Sequence, residues 1–197
     1  MRDRNPLLHA AGLPSAYPQS DLADPDLAPY RSIIDLMLRA HEPYPAMVVD
    51  RLWNVVAANA AALGLFGGGL VGANVVQHYL ASPAARQAIV NWPEVAWAGL
   101  ARLRQQANLA PFDDELRALV ADAERALAEQ ALAGLASPPT EAGLTLCPAF
   151  RVGDQVIRTI GVVARFEPVA EVSVGELRIE LTYPMDEAAE RFFRRRF

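Results

Sequence analysis

Apolar residues recur along this chain with two periods, and the change from one to the other divides it. From Pro29 the spacing of Ile33, Ile34, Met37 and Ala40 predicts a helix that Pro43 and Pro45 end. Two short β-rich runs follow, Ala46 to Asp50 and Trp53 to Ala57, with only Arg51 and Leu52 between them, which predicts a hairpin. Asn59 can then cap a helix over Ala60–Phe66, closed by Gly67, and Asn74 a second over Val75–Ala81, stopped by Ser82-Pro83. A third short helix covers 84–91. Pro93 starts a longer one, with Ala96, Trp97, Leu100, Leu103 and Ala107 along one side and Arg102, Gln105 and Gln106 turned to water. Asp113 and Asp114 open another, carrying Leu116, Leu119, Val120, Ala123 and Leu127 to about residue 133.

Ser137-Pro138-Pro139-Thr140 breaks the helical pattern, and the period becomes two. Strands are predicted at 145–152 and 155–166 around a Gly153-Asp154 turn, the second placing Ile160, Val162, Ala164 and Phe166 on one face before Pro168 ends it. Leu177, Ile179, Leu181 and Tyr183 then alternate with Glu176, Arg178, Glu180 and Thr182, a half-buried strand, and a short helix follows Pro184. Two strands, a helical insert and three strands predict an α+β fold: a five-stranded antiparallel sheet with helices packed on one face. Residues 1–28, rich in Pro and Asp, form a lead-in with one helical piece near Leu7 to Ala11.

Composition narrows the function. The chain has 197 residues, 52% of them hydrophobic, enough for a substantial core, and a net charge of −5 in which all 18 cations are Arg. An acidic chain makes a poor duplex-binding surface by itself. One cysteine, Cys147, rules out an internal disulfide and fits a reducing cytoplasm. No apolar run is long enough to span a bilayer.

Several chemical signals fail on context. Gly67 to Gly72 spells G-x-G-x-x-G, but a predicted helix rather than a strand precedes it. His9, His41 and His78 have no ligand partner at helical spacing, so no metal is expected. Cys147 beside Pro148 reads as a structural thiol, and Asp113-Asp114-Glu115 as helix-start charge. Neither a Ser-His-Asp order nor a nucleophile elbow is present, so no catalytic residue and no cofactor are assigned.

The strand order resembles a PAS-like domain, and the stretch from Glu42 to Ala62 sharpens the likeness. Its apolar strand, Asp50-Arg51 turn, Trp53-Asn54 strand and Asn59-capped helix resemble the opening of the MmyB-like ligand-binding domain of helix-turn-helix (XRE-type) transcription regulators. Ile89 to Val95, Gly175 to Glu180 and Tyr183 to Ala188 are similar to that family too. The resemblance implies a bacterial regulator, homodimeric, whose helix-turn-helix precedes a stretch like Arg4 to Gly12; Met1 stands at that junction here, so DNA is expected as a partner only through a domain outside this chain. Residues 29–197 are then the PAS-like ligand-binding domain. The family pocket is associated with fatty-acid-like ligands. The residues available to line such a pocket are Trp53, Val55, Asn59, Leu63, Phe66, Trp97, Leu100, Phe150, Ile160, Val162 and Phe166, with Arg51, Arg86, Arg158 or Arg165 for a carboxylate head. Read from the residues alone, most of these apolar side chains serve equally as plain core, and Asn59 as a helix cap. Two rivals follow: a dimerisation module with a solid core, and a small-molecule enzyme on a similar cavity, which would need a perturbed His or carboxylate inside.

Overall fold

Two hairpins and one inserted strand make the sheet. In the computed structural model, which describes residues 7, 8, 10, 11, 24–132, 134, 147–166 and 172–197, β1 (Ala46–Val49) pairs antiparallel with β2 (Val55–Ala58), and β3 (Ala149–Val152) with β4 (Gln155–Arg165). Strand β5 (Arg178–Pro184) lies antiparallel between β1 and β4, so the order is β2-β1-β5-β4-β3. The last strand of the chain thus becomes the centre of the sheet. This is the α+β, five-stranded antiparallel architecture that the alternation predicts.

The helices are α1 (Ala28–Ala40), α2 (Ala60–Phe66), α3 (Val75–Ala81), α4 (Pro83–Ala88), α5 (Trp92–Asn108), α6 (Asp114–Leu132), α7 (Val172–Glu176) and α8 (Glu187–Arg196). Their starts follow from side chains that accept from free backbone N–H groups. Asn59 accepts from Ala62 N, Asn74 from Gln77 N, Ser82 from Ala85 N and Asp186 from Ala189 N. Asp113 does the same for Leu116 N at 3.1 Å. Asn59 also accepts from Ala46 N at 2.9 Å and donates to the carbonyls of Leu38 and Tyr44. One buried amide therefore ties α1, β1 and α2 together.

Most of the helical cover lies on one face of the sheet, where Leu100 and Leu103 of α5 and Leu116 and Leu127 of α6 are sealed from water. Helix α1 adds cover on the other face, with Ile34 and Leu38 against Ala46, Val48, Leu177 and Ile179. Being covered on both sides, β1 reads as an uninterrupted apolar run.

The boundaries differ from expectation in four places. The first hairpin turn spans Asp50 to Asn54 rather than two residues, because Trp53 leaves the extended region at φ +67°. Helix α4 ends at Ala88 because Val90 N donates to Ala149 O, which draws the chain to β3. Residues 147 and 148 precede β3 outside any strand, as suits Pro148, which has no N–H for a ladder. Helix α7 follows no sequence signal recognised above. The expected start at 145, the break at 137–140 and Pro168 lie outside the described residues.

Candidate functional site

The site begins at the strained turn. Left-handed backbone is costly for a bulky L-residue, so the surroundings must hold Trp53 there. Asp50 does most of this: one oxygen accepts from Leu52 N at 2.9 Å and Asn54 N at 2.8 Å, the other from the Asn54 amide at 2.9 Å. Asn74 donates to Leu52 O at 2.7 Å and to the Asn54 side chain at 3.0 Å. The Trp53 ring is thereby turned inward, where its Nε1 donates to Gln106 on α5 at 2.9 Å.

Two guanidinium groups lie over that ring, Arg178 at 4.2 Å and Arg102 at 4.7 Å from the centroid. Arg102 is paired through both terminal nitrogens with Glu180. Arg178 is almost fully buried and, among the described residues, has no carboxylate bonded to it; it donates to Gln106 and to the carbonyls of Asp50 and Arg51, and its Nε has no partner. Burial lowers its pKa from the ordinary guanidinium value to about 10, with the charges of Arg102 and Arg165 pulling the same way and those of Glu180 and Asp50 opposing.

Between this cluster, α3 and α5 lies a cavity of about 90 Å³. Its walls are mostly apolar: Val75, Val76 and Leu80 from α3, Val95, Ala96 and Gly99 from α5, Met47 from β1, Pro148 just before β3 and Phe150 within it. Four polar side chains, those of Arg102, Glu180, Tyr79 and Thr182, interrupt them. Burial, with the Glu180 charge adding, raises the Tyr79 phenol above its ordinary value, so it is a neutral hydroxyl at any physiological pH. Neither histidine nor cysteine is among the described residues of the wall.

The sheet wall is the reverse of what alternation suggests. Arg178, Glu180 and Thr182 of β5 share one face with Gly161 of β4, and that face looks into the interior. Their apolar neighbours Ile179 and Leu181, with Ala164 and Phe166, pack toward α1. Of the residues expected to line a pocket, Trp53 and Phe150 do so. Phe66 stands behind Phe150, ring centroids 5.4 Å apart. Val55 and Leu63 join the packing around α2. Leu100 belongs to the core shared with α6, and Trp97 packs at its margin. Asn59 spends its amide on the helix cap and three backbone groups. Ile160 and Val162 follow the outer face of β4, and Phe166 meets Tyr30 of α1 edge-on at 5.7 Å.

The four candidate head-group arginines lie elsewhere. Arg51 is bidentate on Asp113 at 2.8 Å and also meets Glu115, Arg86 meets Gln130, and Arg158 and Arg165 are exposed on β4. The arginine in the cavity is Arg102, and Gln106 is with it on the inward side. Both correct the expectation that these two face water. The available signal was a second stripe at helical spacing, Val95, Gly99, Arg102 and Gln106, hidden because its last members are polar.

A sheet in the order β2-β1-β5-β4-β3, with helices enclosing a hollow against one face, defines a PAS-like domain. Comparison with protein-family models matches residues 30–195 to the MmyB-like transcription regulator ligand binding domain, and the chain belongs to that family. A search of curated proteins returned no relative. Among the described residues no helix is long and apolar enough to cross a membrane, and no group of three His, Cys, Asp or Glu could hold a metal ion.

Proposed function

We propose that the cavity receives a fatty-acid-like effector, apolar with an acidic head, and that the domain reports its occupancy to the DNA-binding part of a bacterial regulator without chemical turnover. The observation that carries this reading is the cavity itself: apolar walls with one guanidinium, Arg102, held at the surface of the hollow by an exchangeable partner, Glu180. Arg102 and Arg178 balance the charges of Glu180 and Asp50, so an entering carboxylate competes with Glu180 for the Arg102 guanidinium. Each methylene it buries contributes about 0.8 kcal/mol.

Size supplies the signal. The cavity, about 90 Å³, exceeds the roughly 15 Å³ that one water needs but falls below the roughly 300 Å³ of ordinary ligand pockets. A long-chain acid must therefore part α3 from α5. A ligand that binds the parted state better shifts the population toward it, which is what a sensor requires.

Calorimetry with decanoate and its methyl ester tests this. The acid is expected to bind the purified chain about tenfold or more tightly than the ester, and Arg102→Gln to erase the difference, since a charged hydrogen bond contributes about 1.5–3 kcal/mol. Equal affinity for acid and ester refutes the head-group assignment, and no uptake of either refutes the reading. The regulator we propose is a homodimer: Val156 and Val162, exposed on β4, offer apolar area to a second copy. Light scattering that gives the monomer mass at all working concentrations would remove that part.

A further inference from the structure

Glycine is among the least favourable residues in a helix interior, so one in the middle of α5 asks for a reason. The usual reasons are a left-handed backbone or a neighbour too close for a side chain. Gly99 has neither. Its φ is not among the positive ones, and a Cβ built on it would meet no atom within 4 Å. Gly64 on α2 shows the contrast: there a Cβ would run into the Phe197 ring. The space in front of Gly99 is part of the cavity, with Ala96 and Arg102 to either side along the same helical stripe. From Gly99 to Arg102 the axis rises only about 4.5 Å.

We propose that Gly99 is the specificity-determining residue of this cavity: its missing side chain leaves bare backbone against which the effector's apolar chain lies, next to the Arg102 guanidinium that holds the head. This rests on the acid-binding reading above. The argument comes from an asymmetry. The protein's own packing gains from any small side chain at this position, through better helix propensity and a fuller interior. Only a guest in the cavity loses by it. A side chain here therefore stabilises the empty protein and excludes the part of the ligand nearest the head group, where branching or thickness matters most.

Gly99→Ala and Gly99→Leu in the full chain test this with two readouts, melting temperature without ligand and calorimetric affinity for hexanoate, decanoate and tetradecanoate. Gly99→Ala is expected to melt above the parent. Gly99→Leu is expected to lose tenfold or more in affinity for decanoate and tetradecanoate, and Gly99→Ala to lose less, in the same order. Should Gly99→Leu fail to fold, Gly99→Ala decides by the same two measures. Variants that bind all three acids as the parent does overturn the assignment while the sensor reading stands. A Gly99→Ala protein that melts lower also overturns it, because the space would then serve the protein's own packing. A parent chain that takes up none of the three acids removes the acid-sensor reading and this assignment with it.

Discussion

His41 is buried with its Nε2 at 3.0 Å from the Thr182 carbonyl and its ring edge-on to Tyr183 at 4.7 Å. Burial pulls its pKa below 6.5, against the opposing pull of the Thr182 carbonyl and of Glu42. The folded state therefore binds a proton less readily than the unfolded one. Stability is retained above 6.5 and lost as the pH falls from 6.5 through the lower folded value. Urea midpoints measured through that interval should fall less steeply for His41→Gln than for the parent, and identical slopes would clear His41 of the effect. Among single residues, Asn59 was legible, since an Asn before an apolar helix has one common use. The left-handed Trp53 was not. No rule of composition puts so large a residue there, and the reason is tertiary: its indole has to reach Gln106 on another element.

The turn between β1 and β2 behaves as a unit. Asp50 holds two backbone amides and one side-chain amide, and these support the only positive φ outside glycine among the described residues. Replacing Asp50 by Ala should cost about 1–3 kcal/mol, the usual penalty for leaving half-buried donors without an acceptor, and should loosen Trp53 against α5. Denaturant unfolding reads the first effect; a loss below about 0.5 kcal/mol would mean that water replaces the carboxylate. Helix α5 shows why sequence reveals one face of an element more readily than two. Leu100 and Leu103 gave away the side that meets α6. Arg102 and Gln106 lie inward because Glu180 and Trp53, distant in sequence, await them. A polar residue at helical spacing reads as exposed until its partner is known.

At the scale of the molecule, the alternation in β4 and β5 gave the strands and the antiparallel sheet, but not which face turns inward. Period two is symmetric about that choice. The apolar row of Ile179 and Leu181 is claimed by α1, leaving Arg178, Glu180 and Thr182 for the interior. Sequence patterning assumes one wet face and one dry face; here a helix dries the outer face over β1 and the start of β5, and on the inner face Arg102 is paired with Glu180 while Arg178 donates to Gln106 and to backbone carbonyls. That inversion separates the fold, largely readable from the chain, from the cavity wall, where Trp53 and Phe150 are the expected residues that stand in it.

One practical result follows from where the Trp53 indole lies. It forms part of the cavity wall while two cations rest on its face, so a guest that draws Arg102 away changes the electric field across the ring. Occupancy then carries its own optical signature, in the wavelength and yield of tryptophan emission, and filling of the hollow can be followed in solution without a label.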